Sequence, residues 1–104
     1  GGNDALRGLA LDATRENLRR MARLSRDAGA RVAIAGMQIP PNYGRAYADR
    51  FSALFAEVAR EHDAALVPFL LAGVADREDL FQPDRIHPTA EAQPLMLDNV
   101  WPVL

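Results

Sequence analysis

The chain has no cysteine, no lysine, only two serines, and no apolar run of membrane-spanning length. Without cysteine there can be no disulfide and no thiolate metal site, and the redox compartment is left open. Without lysine, all 12 basic side chains are arginines. They are scattered, a compositional bias, and the net charge is −2. Nothing in this pattern is the basic footprint of a nucleic-acid binder or a polybasic membrane patch. The apolar runs fall well short of the roughly 18–20 residues of a bilayer-crossing helix, and no secretory leader pattern is visible. The scarcity of serine bears most on chemistry. Ser25 and Ser52 both fall in stretches that read as helix. Neither has the flanking glycines that lift a nucleophile onto a strained turn.

What is present suffices for one ordinary domain core, with 49% hydrophobic residues over 104 positions. No repeat, low-complexity tract or linker divides it. Asp12 is placed to cap a helix in which Leu18, Met21, Leu24 and Ala28 recur at helical spacing, opposite Arg15, Arg19, Arg23 and Asp27. Gly29 stops it. Residues 31–36 form a short apolar run without alternation, which suits a strand covered on both faces. The 36–44 stretch, with Pro40 and Pro41, is a loop. From Arg45 to His62, Tyr47, Phe51, Leu54, Phe55 and Val58 make an amphipathic helical stripe. Residues 64–68 read as a second buried strand and 70–79 as a short helix plus turn. Residues 81–88 are a loop, and Thr89 is placed to cap a last helix to about Val100, with Glu91 in its first turn. The order is helix, strand, helix, strand, helix, an α/β arrangement with a parallel sheet. Two strands alone make a poor sheet, so these strands call for neighbours the sequence does not supply.

Two local motifs carry chemistry. In Asp84-Arg85-Ile86-His87-Pro88, the acid stands three residues before the histidine. On a tight turn its carboxylate can hold one imidazole nitrogen, leaving the other to act as a base. Pro88 keeps His87 out of the helical region, at a rigid junction. In Gly1-Gly2-Asn3-Asp4, a glycine-rich turn offers the neutral Asn3 amide to a developing oxyanion. Each motif also has a plain structural account: a loop histidine whose aspartate caps a turn, and a simple surface turn. A metal site built from Asp84, His87 and Asp79 or Glu91 is a third possibility, though it is short of suitable ligands. His62, between Glu61 and Asp63 at a helix end, reads as a solvated residue facing the helix dipole. Thr14 reads as an ordinary helix residue. Met37, Ile39 and Tyr43 are either an apolar pocket wall or local packing.

Taken together, the motifs resemble the SGNH (GDSL) hydrolase family, and within it the bacterial acyl-CoA thioesterase, lysophospholipase and arylesterase group. Gly1-Gly2-Asn3-Asp4 is similar to that family's Gly-x-Asn-Asp block. Gly36 to Gly44 is similar to its Pro-x-Asn-Tyr-Gly loop, and Asp84 to Pro88 to its terminal Asp-x-x-His-Pro block. The resemblance implies a three-layer α/β/α fold with a parallel, flavodoxin-like sheet, of which these residues form the C-terminal half. It implies Asn3 as an oxyanion donor and Asp84 and His87 as two members of a Ser-His-Asp triad. It also implies a substrate-binding set: Gly2, Ala5 and Leu6, then Met37, Ile39, Pro40 and Tyr43 in the loop, and Ile86 beside the histidine. The substrate that the resemblance implies is an acyl ester or thioester, with no metal or other cofactor, and the compartment it implies is the periplasm or the exterior.

The Gly-Asp-Ser-Leu block that carries the family's nucleophile does not occur here. The expected partner is therefore an N-terminal piece of the same enzyme carrying that block. The competing expectation is a non-catalytic binding fragment that kept the fold without the nucleophile.

Overall fold

The computed structural model describes residues 2–104. Six regular elements follow one another: α1 (Gly2–Leu6), α2 (Leu11–Asp27), β1 (Ala33–Ala35), α3 (Arg45–Glu61), β2 (Ala65–Val67) and α4 (Gln93–Val100). Single 3₁₀ turns occupy Pro41–Tyr43, Glu78–Leu80, Ala90–Ala92 and Trp101–Val103. The two strands pair in parallel, with Ala33 opposite Ala65, Ile34 opposite Leu66 and Ala35 opposite Val67. A parallel pair needs a crossover, and α3 supplies it.

The core forms where α3 lies over the sheet. Phe51, Leu54 and Val58 are fully buried and Phe55 nearly so, the stripe legible in the sequence. Phe51 and Phe55 meet edge to face with centroids 5.2 Å apart, a favourable aromatic geometry. Ile34 joins this cluster from β1, with Leu66 beside it, and Ala5, Leu11 and Ala22 join from the first two helices. Side chains alternate across a strand, so Ala33 and Ala65 face the other way. There the C-terminal residues Val103 and Leu104 come alongside them. A second, smaller cluster of Val74, Leu80 and Ala92 gathers Met96 of α4.

Several elements differ from their sequence expectation. Gly1 lies outside the described residues, and residues 2–6 are a helical turn, not a glycine-rich turn. The Arg7 N–H reaches the Asn3 carbonyl at 3.1 Å, because Asp4, Ala5 and Leu6 all suit the first turns of a helix. Helix α2 begins at Leu11, and no side chain caps it. Asp12 bonds Arg15 at 2.8 Å instead. The buried stripe of α2 is Leu11, Thr14 and Ala22. Met21 and Leu24 are more than half exposed. The packing on α3 selects a face of α2 rotated from the expected stripe, and it draws two arginines toward α3. Arg15 pairs with Glu57 at 2.9 Å and Arg19 with Glu61 at 2.7 Å. Residues 70–79 form successive turns, not a helix. Thr89 precedes the last helical region but makes no capping bond, its hydroxyl being buried without a partner.

Gly36 ends the β1 ladder with its N–H on the Val67 carbonyl at 2.7 Å. A Cβ there would lie 2.3 Å from the Pro68 carbonyl oxygen, a backbone atom that cannot rotate away. Gly36→Ala is expected to destabilise the chain by about 1–3 kcal/mol, the usual scale of overpacking, read as a lower thermal midpoint or loss of soluble protein. An unchanged midpoint would mean that the strands do not approach this closely.

Candidate active site

The 81–88 loop is closed by its own backbone. Phe81 and Pro88 form an antiparallel bridge, and the Gln82 N–H reaches the His87 carbonyl at 2.8 Å. Arg85 takes φ of 61°, the left-handed region that non-glycine residues seldom occupy. This turn folds the chain around the Asp84 carboxylate. Oδ1 accepts the backbone N–H groups of Ile86 at 2.9 Å and His87 at 3.1 Å. Oδ2 meets Nδ1 of His87 at 2.5 Å. Three donors on one carboxylate, the His87 ring foremost and the two backbone N–H groups after it, hold its pKa down at about 2. With Nδ1 engaged, Nε2 is the nitrogen left to move a proton.

His87 and Asn3 line the same cavity, of about 270 Å³, together with Gly2, Leu6, Met37 and Ile86. It opens where the loops leave the C-terminal ends of both strands, the usual crevice of open α/β sheets. Gly2 packs closely there, since a Cβ on it would lie 2.8 Å from Cε of Met37, the movable end of that side chain. The remaining expected wall residues lie elsewhere. Ala5 is 1% exposed in the core beneath α1, because it sits on the face of the turn away from the cavity. Ile39 packs against the main core. Pro40 and Tyr43 lie outside the cavity wall, where the loop has turned away into its 3₁₀ segment. Gly36 and Pro88 also line it, as do Gln38, Phe69, Leu70, Leu71 and Met96, and these last five were not singled out in the sequence. Phe69 to Leu71 directly follow β2, so the strand-end rule could have found them. Met96 carries no such signal.

Neither serine lies in this cavity. Ser52 bonds the Ala48 carbonyl of its own helix at 3.1 Å, and Ser25 lies along the groove between α2 and β1. His62 turns its Nδ1 to the Val58 carbonyl at 3.1 Å, a helix-end role. Among the described residues no group of three or more histidine, aspartate or glutamate side chains could hold a metal ion. No described helix is long and apolar enough to cross a membrane.

The sequence profile of the GDSL-like lipase/acylhydrolase family matches residues 1–94. The chain belongs to that family. This GDSL-family chain is 48% identical over all its 104 residues to the esterase TesA of Pseudomonas aeruginosa, covering 52% of that protein. It is 38% identical over 98 residues to thioesterase 1/protease 1/lysophospholipase L1 of Escherichia coli K12, covering 94% of this chain and 47% of that one. A crystal structure of TesA superposes on all of it with a TM-score of 0.94 at 48% identity, covering 58% of that chain. The psychrotrophic esterase EstA from Pseudoalteromonas sp., in a structure inhibited by monoethylphosphonate, matches 99% of it at 0.90 and 35% identity, covering 56% of that chain. The three-layer α/β/α hydrolase fold is thereby shown, and the GDSL-family chain spans about half the length of these relatives.

A folded-state carboxyl pKa of about 2 lies below the ordinary value of about 3.9. Asp84 therefore contributes stability that is present above the unfolded pKa and is lost as pH falls through the folded one. Carboxyl-carbon NMR of Asp84 is expected to titrate near 2. In His87→Ala the midpoint should rise, yet stay below the ordinary value because two backbone donors remain. A midpoint unmoved by that substitution would show that the ring does not hold the carboxylate.

Proposed function

We propose that this chain is the C-terminal part of a single hydrolase domain that cleaves acyl esters or thioesters through a serine carried on a segment N-terminal to it. The observation that carries this is the Asp84–His87 pair beside an apolar cavity that also receives Asn3. In this mechanism Nε2 of His87 takes the proton of the serine hydroxyl as its oxygen attacks the acyl carbonyl. Asp84 holds the ring and stabilises the imidazolium. The Asn3 amide donates to the oxyanion. The alcohol or thiol leaves with the proton held by His87, and water, deprotonated by the same nitrogen, releases the acid. Leu6, Met37, Leu70 and Ile86 offer the acyl chain an apolar wall.

The partner in this proposal is the segment that bears the nucleophile. Its seat is the side of β1 away from β2, where Leu18, Met21 and Ala22 of α2 form an open apolar groove along the strand. A strand edge with free N–H and C=O groups calls for such a neighbour. The compartment proposed is the periplasm or the exterior, on the family resemblance.

The chain alone is expected to leave a chromogenic short-chain acyl ester unhydrolysed. With the nucleophile-bearing segment restored, activity should appear and be blocked by a serine-directed phosphonate. In that enzyme, Asn3→Ala should lower kcat by roughly 10²–10³-fold with little change in KM. Asp84→Asn should cost on the order of 10⁴-fold, because the amide favours the wrong tautomer, and His87→Ala should cost more than Asn3→Ala. Turnover by the isolated chain would move the nucleophile into these residues. A restored protein that folds but stays inactive would favour the non-catalytic binding fragment.

A further inference from the structure

Thr14 is the one polar residue among the described residues that is buried as a whole, 2% exposed. A threonine inside a helix commonly turns its hydroxyl onto its own helix, four residues back. Thr14 instead donates to Oδ2 of Asp4, ten residues away, at 3.2 Å. Burying a hydroxyl is costly unless it is bonded. The bond joins α2 to α1, and α1 has only five residues. One turn of helix is not stable by itself, so its orientation comes from its tethers. These are the buried methyl of Ala5 and the Asp4 carboxylate. Successive side chains on a helix are about 100° apart. With Asp4 turned to α2, Asn3 is carried round toward the cavity it lines.

We propose that Asp4 and Thr14 form a positioning pair that fixes the rotation of α1 and so aims the Asn3 amide at the oxyanion. The pair touches neither substrate nor reacting atoms and acts only through Asn3. It rests on the oxyanion assignment made above. The test uses the enzyme formed by this chain with its nucleophile-bearing segment. Thr14→Val, which keeps the shape and removes the hydroxyl, should lower kcat about tenfold, the scale of a small misplacement of a catalytic group. KM should change by less than about twofold. Thr14→Ser should restore kcat. In an Asn3→Ala background, Thr14→Val should cost nothing further, which a merely structural residue would not satisfy. If Thr14→Val does not fold, Asp4→Ala reads the same bond from its half-buried partner, since the Thr14 hydroxyl can then fall back on its own helix. The same tenfold loss is expected. An unchanged kcat in these variants, or an equal loss with and without Asn3, overturns the pair while leaving the oxyanion assignment intact. If Asn3→Ala itself leaves kcat unchanged, the oxyanion assignment fails and the pair fails with it.

Discussion

Everything in this molecule hangs on the apolar stripe of α3. Phe51, Leu54 and Val58 are completely shielded, and each such side chain contributes about 1.5–3 kcal/mol on burial. One face of a single helix thus covers β1 and β2 together, and α2 packs on its flank. Because α3 is also the crossover, the strands it joins must run parallel. Their C-terminal ends then point the same way, and the loops that follow them converge. The cavity beside His87 is a consequence of that convergence.

The site divides into a self-sufficient part and a dependent part. The Asp84–His87 turn is held by bonds within six residues, from Gln82 to His87. It needs only its own backbone and the bridge at its neck. Asn3 has no such local frame. It stands on a one-turn helix whose orientation is borrowed from Ala5 in the core and from Thr14 on α2. The Asp84–His87 pair is therefore robust to changes elsewhere, whereas the side chain of Asn3, the oxyanion donor proposed above, depends on how α1 and α2 pack.

The packing is uneven. Helices α2 and α3 are tied by the core and by two cross-helix ion pairs, which at this exposure add little to stability. On the other side of the molecule, α4 has no buried residue, and Leu97 and Trp101 are largely exposed. Met21 and the open side of β1 form a further apolar surface. Apolar surface of this kind suits the nucleophile-bearing segment proposed above, and the relatives are about twice this length.

The sequence by itself determined whatever depends on near neighbours. The Asp-x-x-His-Pro spacing was enough for the histidine–carboxylate pair, because a carboxylate reaches the second and third residues after it on any tight turn. The stripe of α3, the stop at Gly29 and the two short strands were legible for the same reason, each being a periodicity or a backbone rule confined to one segment. Tertiary structure alone decided the rest. Gly1 to Asp4 read as a glycine-rich turn, and residues 2–6 form a helix with Ala5 in the core. Helix α2 read as a stripe through Leu18, Met21, Leu24 and Ala28, and the fit against α3 buried Leu11, Thr14 and Ala22 and left Met21 in the open. Met96 reached the cavity from the last helix, and Thr14, unremarkable in sequence, became the tether of α1. In each of these cases the decisive contact joins segments that no periodicity links, so only the packed chain could choose it.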